Sequence, residues 1–406
     1  MNYQETLDWL YNQFPSYQSE GEGAYKKDIT NVMNFFKKHG EQYLSFNTIH
    51  VAGTNGKGSV SHMLSSIFQE SGLKVGLFTS PHLLDFRERI KINNKKIEKY
   101  FIVDFIEQHM NEFINIDMSF FEMNVAIAFK YFYNQEVDIA VIEVGLGGRL
   151  DATNVIQPEL SIITNVSMDH TNLLGKSLDL ITKEKAGIIK KQTPILIGET
   201  NEHIDVIQNK AFELNAPLSY SRQFNYNSQL QGKCQIKNVN TTVTAIDILN
   251  KKGYTISTDD ITNGLDKVIE NTGILGRWQT ISTEPLIMCD IAHNLSAFKI
   301  LIDELNSYQS MKHIILGFSK DKDFESIISV LPNNFSYYIC GSLNKRIINP
   351  NELTSIFKKY HLSHEIFDSS HNAYNYLIQN SKKNDIIMIT GSTFIVSDIL
   401  KYLDKV

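Results

Sequence analysis

The stretch Asn47–Ser59, reading NTIHVAGTNGKGS, limits the possible folds more than any other part of the chain. Ile49 and Val51 are strand formers. From Lys57 onward, Met63, Leu64, Ile67 and Phe68 recur at the spacing of one buried helical face. Between them, Gly53, Gly56 and Gly58 allow the backbone angles and close approach that a phosphate-wrapping turn needs. Backbone N–H groups at such a helix start attract phosphate, and Lys57 is placed to reach terminal phosphates. Thr54, Asn55, Gly56, Lys57, Gly58 and Ser59 are therefore the candidate nucleotide-phosphate residues, with a Ser hydroxyl positioned for Mg2+. The match to G-x-x-x-x-G-K-[ST] is imperfect: Val51 stands where the first Gly belongs, and Gly58 separates Lys57 from Ser59. An ordinary Gly-rich strand–helix turn is the plainer alternative.

The rest of the chain repeats the same alternation. Nearly continuous apolar runs at 137–144, 160–165 and 194–197 read as strands buried on both faces, with helices expected at about 100–114, 121–134 and 178–190. Amphipathic helices are expected before residue 46, one with Leu7, Leu10, Tyr11 and Phe14 on its buried face, the next with Ile29, Val32, Met33 and Phe36. Asp85–Ile90 reads as a charged connection, and 199–239 as less regular, with a helix at about 202–214 followed by polar sequence that suits short edge strands and loops. Helices at about 240–251 and 259–270 lead to a linker ending at Arg277-Trp278. From Pro285 strands and helices alternate again to the end. The expected fold class is α/β: a P-loop, doubly wound, mainly parallel sheet domain over 1–280, then a smaller Rossmann-like α/β domain over 281–406.

Composition narrows the function classes. The 406-residue chain is 42% hydrophobic, with a formal net charge of −6, which disfavours nucleic acid as a partner. No run reaches membrane-spanning length. Cys234, Cys289 and Cys340 are odd in number and far apart, which suits reduced core residues in a cytoplasmic protein, and the first residues carry no leader pattern.

In open α/β sheets, ligands sit at the carboxyl ends of strands. Ser80, Glu143 and His170 fall there. The Ser80 hydroxyl and Glu143 carboxylate suit Mg2+; His170 fits Mn2+ at least as well. Taken singly, each has a plain structural alternative: a turn Ser before Pro81, a strand-end Glu, a hydrogen-bonded His. Lys185, beside Lys183 and Glu184, also reads as part of a solvated helix face. Asp290 and His293 could open a helix at Asn294 or face a nucleotide, and Arg277 suits a phosphate contact.

Together these motifs resemble the folylpolyglutamate synthase/dihydrofolate synthase family of the Mur ligase superfamily. The resemblance rests on AGTNGKGS at 52–59, TSPH at 79–82, IEVGLGGRLDATN at 142–154, Asp169-His170, EKAGI at 184–188, Gly276-Arg277, Asp290-x-Ala-His-Asn294 and Gly391-Ser392. It implies an ATP-dependent ligase that joins L-glutamate to a folate, most simply a polyglutamate synthase acting as a monomer. Thr54 to Lys57 then hold ATP phosphates, and Ser80, Glu143 and His170 hold one or two Mg2+ ions. Lys185 is the lysine that is carbamylated in this superfamily. Asn240, opening a helix, resembles the adenine-site Asn. Arg277, Asp290 and His293 contact the nucleotide or act in catalysis. Ser119, Phe120, Phe121, Leu150, Asp151 and Ala152 line the pteridine side. Two places depart from the family pattern: Leu295 replaces a usual Pro, and Gly23–Lys27 replaces a Gly-Leu-x-Arg-like element of the segment that holds dihydropteroate.

Overall fold

The computed structural model of the protein describes residues 1–14 and 28–404. The expected glycine break at 21–23 and the divergent Gly23–Lys27 element lie outside the described residues. These residues form two compact units. The first comprises Met1–Ser167, Thr171–Gln229 and Cys234–Gly273; the second comprises Met168–His170, Leu230–Lys233 and Ile274–Val406. The main boundary thus lies a few residues before the expected one at 280.

In the first unit, helix α1 (Tyr3–Gln13) starts at a reciprocal cap between Asn2 and Glu5. Helix α2 (Thr30–His39) buries Val32, Phe35 and Phe36. Met33, expected on that face, is 52% exposed, because the buried stripe runs through Phe35 instead. Strand β1 (Asn47–Ala52) leads to α3 (Lys57–Glu70) and then β2 (Val75–Phe78). The expected charged connection at 85–90 is ordered. Asp85 and Glu88 cap a short 3-10 helix (Phe86–Arg89), which runs into a hairpin of β3 (Ile90–Ile92) and β4 (Lys95–Lys96). Asn93 and Asn94 turn that hairpin with φ of 43° and 60°, a left-handed pair that Asn tolerates well. Lys91 on β3 is buried and donates to Thr272 O at 2.6 Å.

Helices α4 (Lys99–Asn115) and α5 (Phe120–Asn134) precede β5 (Ile139–Glu143). Then come β6 (Leu160–Ile163), α6 (Thr171–Leu174), α7 (Leu178–Ala186), β7 (Ile195–Ile197), α8 (Ile204–Glu213) and β8 (Leu218–Tyr220). Helix α7 stops short of the expected 190, at Gly187, where a Cβ would come within 2.4 Å of Arg149 Cα. Helix α9 (Cys234–Lys251) begins well before the expected 240, so Asn240 lies inside the helix rather than opening it. Helices α10 (Thr258–Asp266) and α11 (Val268–Thr272) complete the unit.

The strand order is β4-β3-β2-β5-β1-β6-β7-β8. All pairings are parallel except the β2-β3-β4 edge. Strands β5 and β1 lie centrally and are buried along almost their whole length, so both faces are covered. Helix α10 presses its backbone on α3 at Gly264, where an added Cβ would lie 2.5 Å from Ile67 Cα.

The second unit contains β9 (Gln279–Thr283), β10 (Leu286–Cys289), α12 (Leu295–Asn306), β11 (Lys312–Leu316), α13 (Phe324–Ile328) and β12 (Ser336–Cys340). Helix α14 (Pro350–Lys359), β13 (His364–Phe367), α15 (Ser370–Asn380), β14 (Ile386–Thr390) and α16 (Thr393–Leu403) follow. Its sheet order is β13-β12-β11-β14-β10-β9. Strand β9, which lies between the expected linker end at Trp278 and the alternation from Pro285, where no element is expected, is an antiparallel edge strand beside β10, while the other pairings are parallel. Its alternating Gln, Thr, Ile, Ser and Thr carry too weak an apolar signal to announce a strand. Two α/β units with mostly parallel sheets are the architecture expected. Among the described residues no helix is long and apolar enough to cross a membrane, and the three cysteines form no disulfide.

Candidate active site

In the first unit the candidate residues gather at the carboxyl ends of β1, β5 and β2. The turn after β1 depends on two glycines in conformations closed to other residues. Gly53 has φ 152° and Gly56 has φ 81°; a Cβ on Gly53 would fall 1.9 Å from Thr164 Oγ1. The turn is moulded by the segment after β6. Thr54 N donates to Asn165 O at 2.9 Å, Asn55 N to Asn165 Oδ1 at 3.0 Å, and Thr164 Oγ1 to Asn55 O at 2.6 Å. Gly56 precedes α3 with no side-chain cap, so the helix start has no capping hydroxyl or carboxylate of its own. Ser59 is buried in the first turn.

Two lysines converge on this turn. Lys57 Nζ donates to Gly53 O at 3.0 Å and Thr54 O at 3.2 Å; Lys185 Nζ donates to the same Gly53 O at 2.9 Å. Lys185 is 3% exposed, so the solvated-face alternative fails. Glu143 ends β5 and is buried, and its Oε2 accepts from Ser80 N at 3.0 Å. Ser80 follows β2, and its peptide to Pro81 is cis. The structure thus brings Ser80 and Glu143 together as an oxygen-rich pair, a donor set that suits Mg2+.

Near them, Arg89 is buried; its Nε donates to His82 Nδ1 at 2.9 Å, and its guanidinium lies 5.6 Å from the Phe120 ring centre. Burial lowers the Arg89 pKa to about 10, opposed by Tyr11, Glu143 and Glu88. Phe120 stacks on Tyr11 at 5.4 Å, and Phe121 packs against Phe78 and Gly145. These aromatics form an apolar wall beside Glu143's strand. Ser119 and Asp151 are committed locally. Ser119 caps α5 in a reciprocal pair with Glu122. Asp151 accepts from Leu146 N at 2.8 Å, from Thr153 N at 3.0 Å and from the Thr153 hydroxyl, which ties the 145–153 turn shut. Burial pushes the Asp151 carboxyl up against those bonds. Ala152 is buried beside it, and Leu150 is half-buried.

Asn240 accepts from Phe224 N at 2.9 Å. On the same helix, Asn238 approaches the phosphate turn, its Oδ1 lying 2.4 Å from where a Gly56 Cβ would stand. Asn165 and Asn238 escaped sequence reading because each reaches the turn from a distant segment, and only their polarity on buried faces could have hinted at it.

In the second unit, Asp290 follows β10. Its oxygens accept from Trp278 N and Ala292 N, each at 2.9 Å. Burial raises its pKa, opposed by the nearby Arg277 charge. Asn294 caps α12, and its Nδ2 donates to Asp169 Oδ2 at 3.0 Å. Asp169 is the hub here: Lys322 Nζ lies 2.5 Å away and His293 Nε2 3.3 Å away. Burial works to raise the Asp169 carboxyl, but His170, Lys322 and His293 outweigh it and hold it well below the usual range. His170, in the left-handed region at φ 50°, groups with this unit and meets Lys322 Nζ at 3.2 Å. Lys322, within the Asp321-Lys-Asp323 segment, had no assigned role in the sequence reading.

A phosphate-type turn leaving a central parallel strand, with a carboxylate on the neighbouring strand and a second α/β unit, defines the class of Mur-type nucleotide-dependent ligases. The Mur ligase middle domain model matches residues 51–259, and the Mur ligase glutamate ligase domain model matches residues 276–393. A dihydrofolate synthase/folylpolyglutamate synthase of Buchnera aphidicola subsp. Acyrthosiphon pisum is 34% identical over 374 residues, 86% of this chain and 88% of that one. The crystal structure of folylpolyglutamate synthase from Thermotoga maritima is 29% identical, with a TM-score of 0.81 over 99% of this chain and 96% of that one. A bifunctional folylpolyglutamate synthase/dihydrofolate synthase with Mn, AMPPNP and L-glutamate bound is 25% identical, with a TM-score of 0.83 over 100% and 98%. The chain belongs to the folylpolyglutamate/dihydrofolate synthase family within the Mur ligase superfamily. It is accordingly an ATP-dependent, glutamate-adding ligase of the folate pathway.

Proposed function

We propose that this protein is a folylpolyglutamate synthase, adding L-glutamate to the terminal glutamate carboxylate of a reduced folate. The observation that carries the reading is the convergence of Lys57 and Lys185 on the Gly53 carbonyl, beside a helix start with no side-chain cap and close in strand register to Glu143. In this reading the acceptor's carboxylate oxygen attacks the γ-phosphorus of ATP, releasing ADP and forming an acyl phosphate. The amine of glutamate then attacks the carbonyl carbon, loses a proton and expels phosphate. Lys57 swings from its carbonyl partners to the transferring phosphoryl group and offsets its charge. Mg2+ bound by the Glu143 carboxylate and Ser80 would supply further charge compensation on the phosphates. His170 and one or two ions remain part of the proposal, supported by the Mn and AMPPNP in the bifunctional relative.

Arg277 and Asp290 are proposed nucleotide contacts, and His293 a catalytic group. The aromatic wall of Phe120 and Phe121 suits a pteridine ring, with Asp151 shaping the turn rather than reaching out. Lys185 is proposed to react with CO2, becoming a carbamate; an intact-mass measurement in bicarbonate showing no added carbamate would remove that element. We assign the protein a cytoplasmic location and a monomeric state.

A second reading is dihydrofolate synthase, alone or as a second activity, favoured by the double name of the Buchnera relative. ADP release with glutamate and either tetrahydrofolate or dihydropteroate decides between them. Turnover with tetrahydrofolate alone supports the first reading, and turnover with dihydropteroate alone overturns it. Turnover with both makes the enzyme bifunctional, and turnover with neither sinks both readings.

A further inference from the structure

A second group of ligand-type side chains lies on the helical layer of the first unit, built by α2 and α4. His39 is the last residue of α2; His109 and Glu112 are one turn apart on α4 and so share a face. His39 Nε2 lies 2.6 Å from Glu112 Oε2, and the two imidazole centres are 4.7 Å apart at 75°. One ligand atom from each of the three residues lies within 4.8 Å of the other two.

His109 is the informative member. It is 8% exposed, and its Nε2 is fully buried without a hydrogen-bond partner. Buried polar atoms nearly always have a partner, so this nitrogen asks for one. Phe35, Phe105 and Phe113 surround the ring at 5.2, 4.8 and 5.8 Å, which holds the imidazole in place without satisfying it. Lys38, the nearest cation on Glu112, binds the other carboxylate oxygen, Oε1, at 2.8 Å and is largely exposed. Glu112 Oε2 can therefore change partner while that ion pair stays.

We propose that His39, His109 and Glu112 form a binding site for a divalent transition ion of the zinc class, joining α2 to α4. Two imidazoles and one carboxylate are a donor set such ions favour, with a water completing four-coordination. Metal bonds of about 2.0–2.1 Å place tetrahedral ligand atoms roughly 3.3 Å apart. The His39–Glu112 pair must open slightly and His109 draw in, movements within the reach of side-chain rotation. The ion would tie together residues 73 positions apart in sequence.

The test titrates the full-length, nucleotide-free protein with Co2+, read by its visible ligand-field bands, and then displaces it with Zn2+. One equivalent of Co2+ with tetrahedral bands is expected, together with a raised thermal midpoint. His39→Gln and Glu112→Gln should each weaken binding by more than the roughly 10- to 100-fold that loss of a mere supporting hydrogen bond costs. His293→Asn, which alters the Asp169–His170–His293 group, should leave the bands unchanged. Absence of bands, bands that survive both His39→Gln and Glu112→Gln, or bands lost only in His293→Asn would each overturn the proposal. Circular dichroism of each variant separates loss of the ion from loss of the fold.

Discussion

Lys57 is part-buried and holds two backbone carbonyls of its own turn, one of which, Gly53 O, keeps Lys185 as a second donor. Lys57→Ala should therefore cut ligation by about 100-fold or more while leaving the unfolding midpoint nearly unchanged; near-normal ADP release would count against the assigned role. Lys91 behaves differently. Burial lowers its pKa to about 8 from 10.5, opposed by Glu88 and Asp85. Below pH 8 both states hold the proton. Between about 8 and 10.5 the unfolded chain binds more protons, so this group adds stability as pH rises. In urea melts across that range, wild type should gain on Lys91→Met, and a constant difference would refute the assignment. The residues also show what a sequence makes legible. Lys57 stands in a contiguous motif whose order of strand, turn and helix is local. Lys185 looked like a charged helix face, because nothing in Lys183-Glu184-Lys185 says which side packs inward; the fold alone puts its ammonium on Gly53. Asp151 looked like a pocket residue, yet its oxygens are bound by the N–H groups of its own turn.

Elements were legible where hydrophobic period and length agreed. Strands β5, β6 and β7, and helix α5, lie where the patterns predict them, because their residues are buried in the core. The misses share one cause. Strands β4 and β9 are edge strands with exposed or half-exposed polar sequence and little periodic signal, and β3 is only three residues long with a lysine at its centre. Helix α9 starts before the expected 240 because Cys234–Val239 buries polar Gln235 and Asn238, residue types that read as loop. Gly264 is a further case: glycine in a helix suggests weakness, but here it lets α10 touch the α3 backbone. Gly264→Ala should destabilise the first unit by about 1–3 kcal/mol through overpacking, despite alanine's better helix propensity. Chemical denaturation that shows a more stable variant would refute the close approach.

At the scale of the molecule, the second unit borrows Met168–His170 and Leu230–Lys233 from earlier in the chain. Expressed alone, residues 274–406 would lack Asp169, the carboxylate that Lys322 and Asn294 bind. That leaves a largely buried ammonium without its counter-charge. Amide exchange in β10, β11 and β14 should be faster in the fragment than in the whole chain, and equal protection would show that the borrowed segment matters little. The two α/β units could be read from alternating strands and helices, whereas the borrowed segments could not, since they are too short to leave a periodic trace. The strand order of the first sheet has one more consequence. Its outermost strands are the two-residue β4, with exposed Lys95 and Lys96, and the partly exposed β8. Strands with one neighbour fray first, and those between two neighbours open last. The phosphate turn and Glu143 leave from β1 and β5, which lie side by side in the middle. Partial unravelling from either rim thus leaves the phosphate-type turn and Glu143 in place.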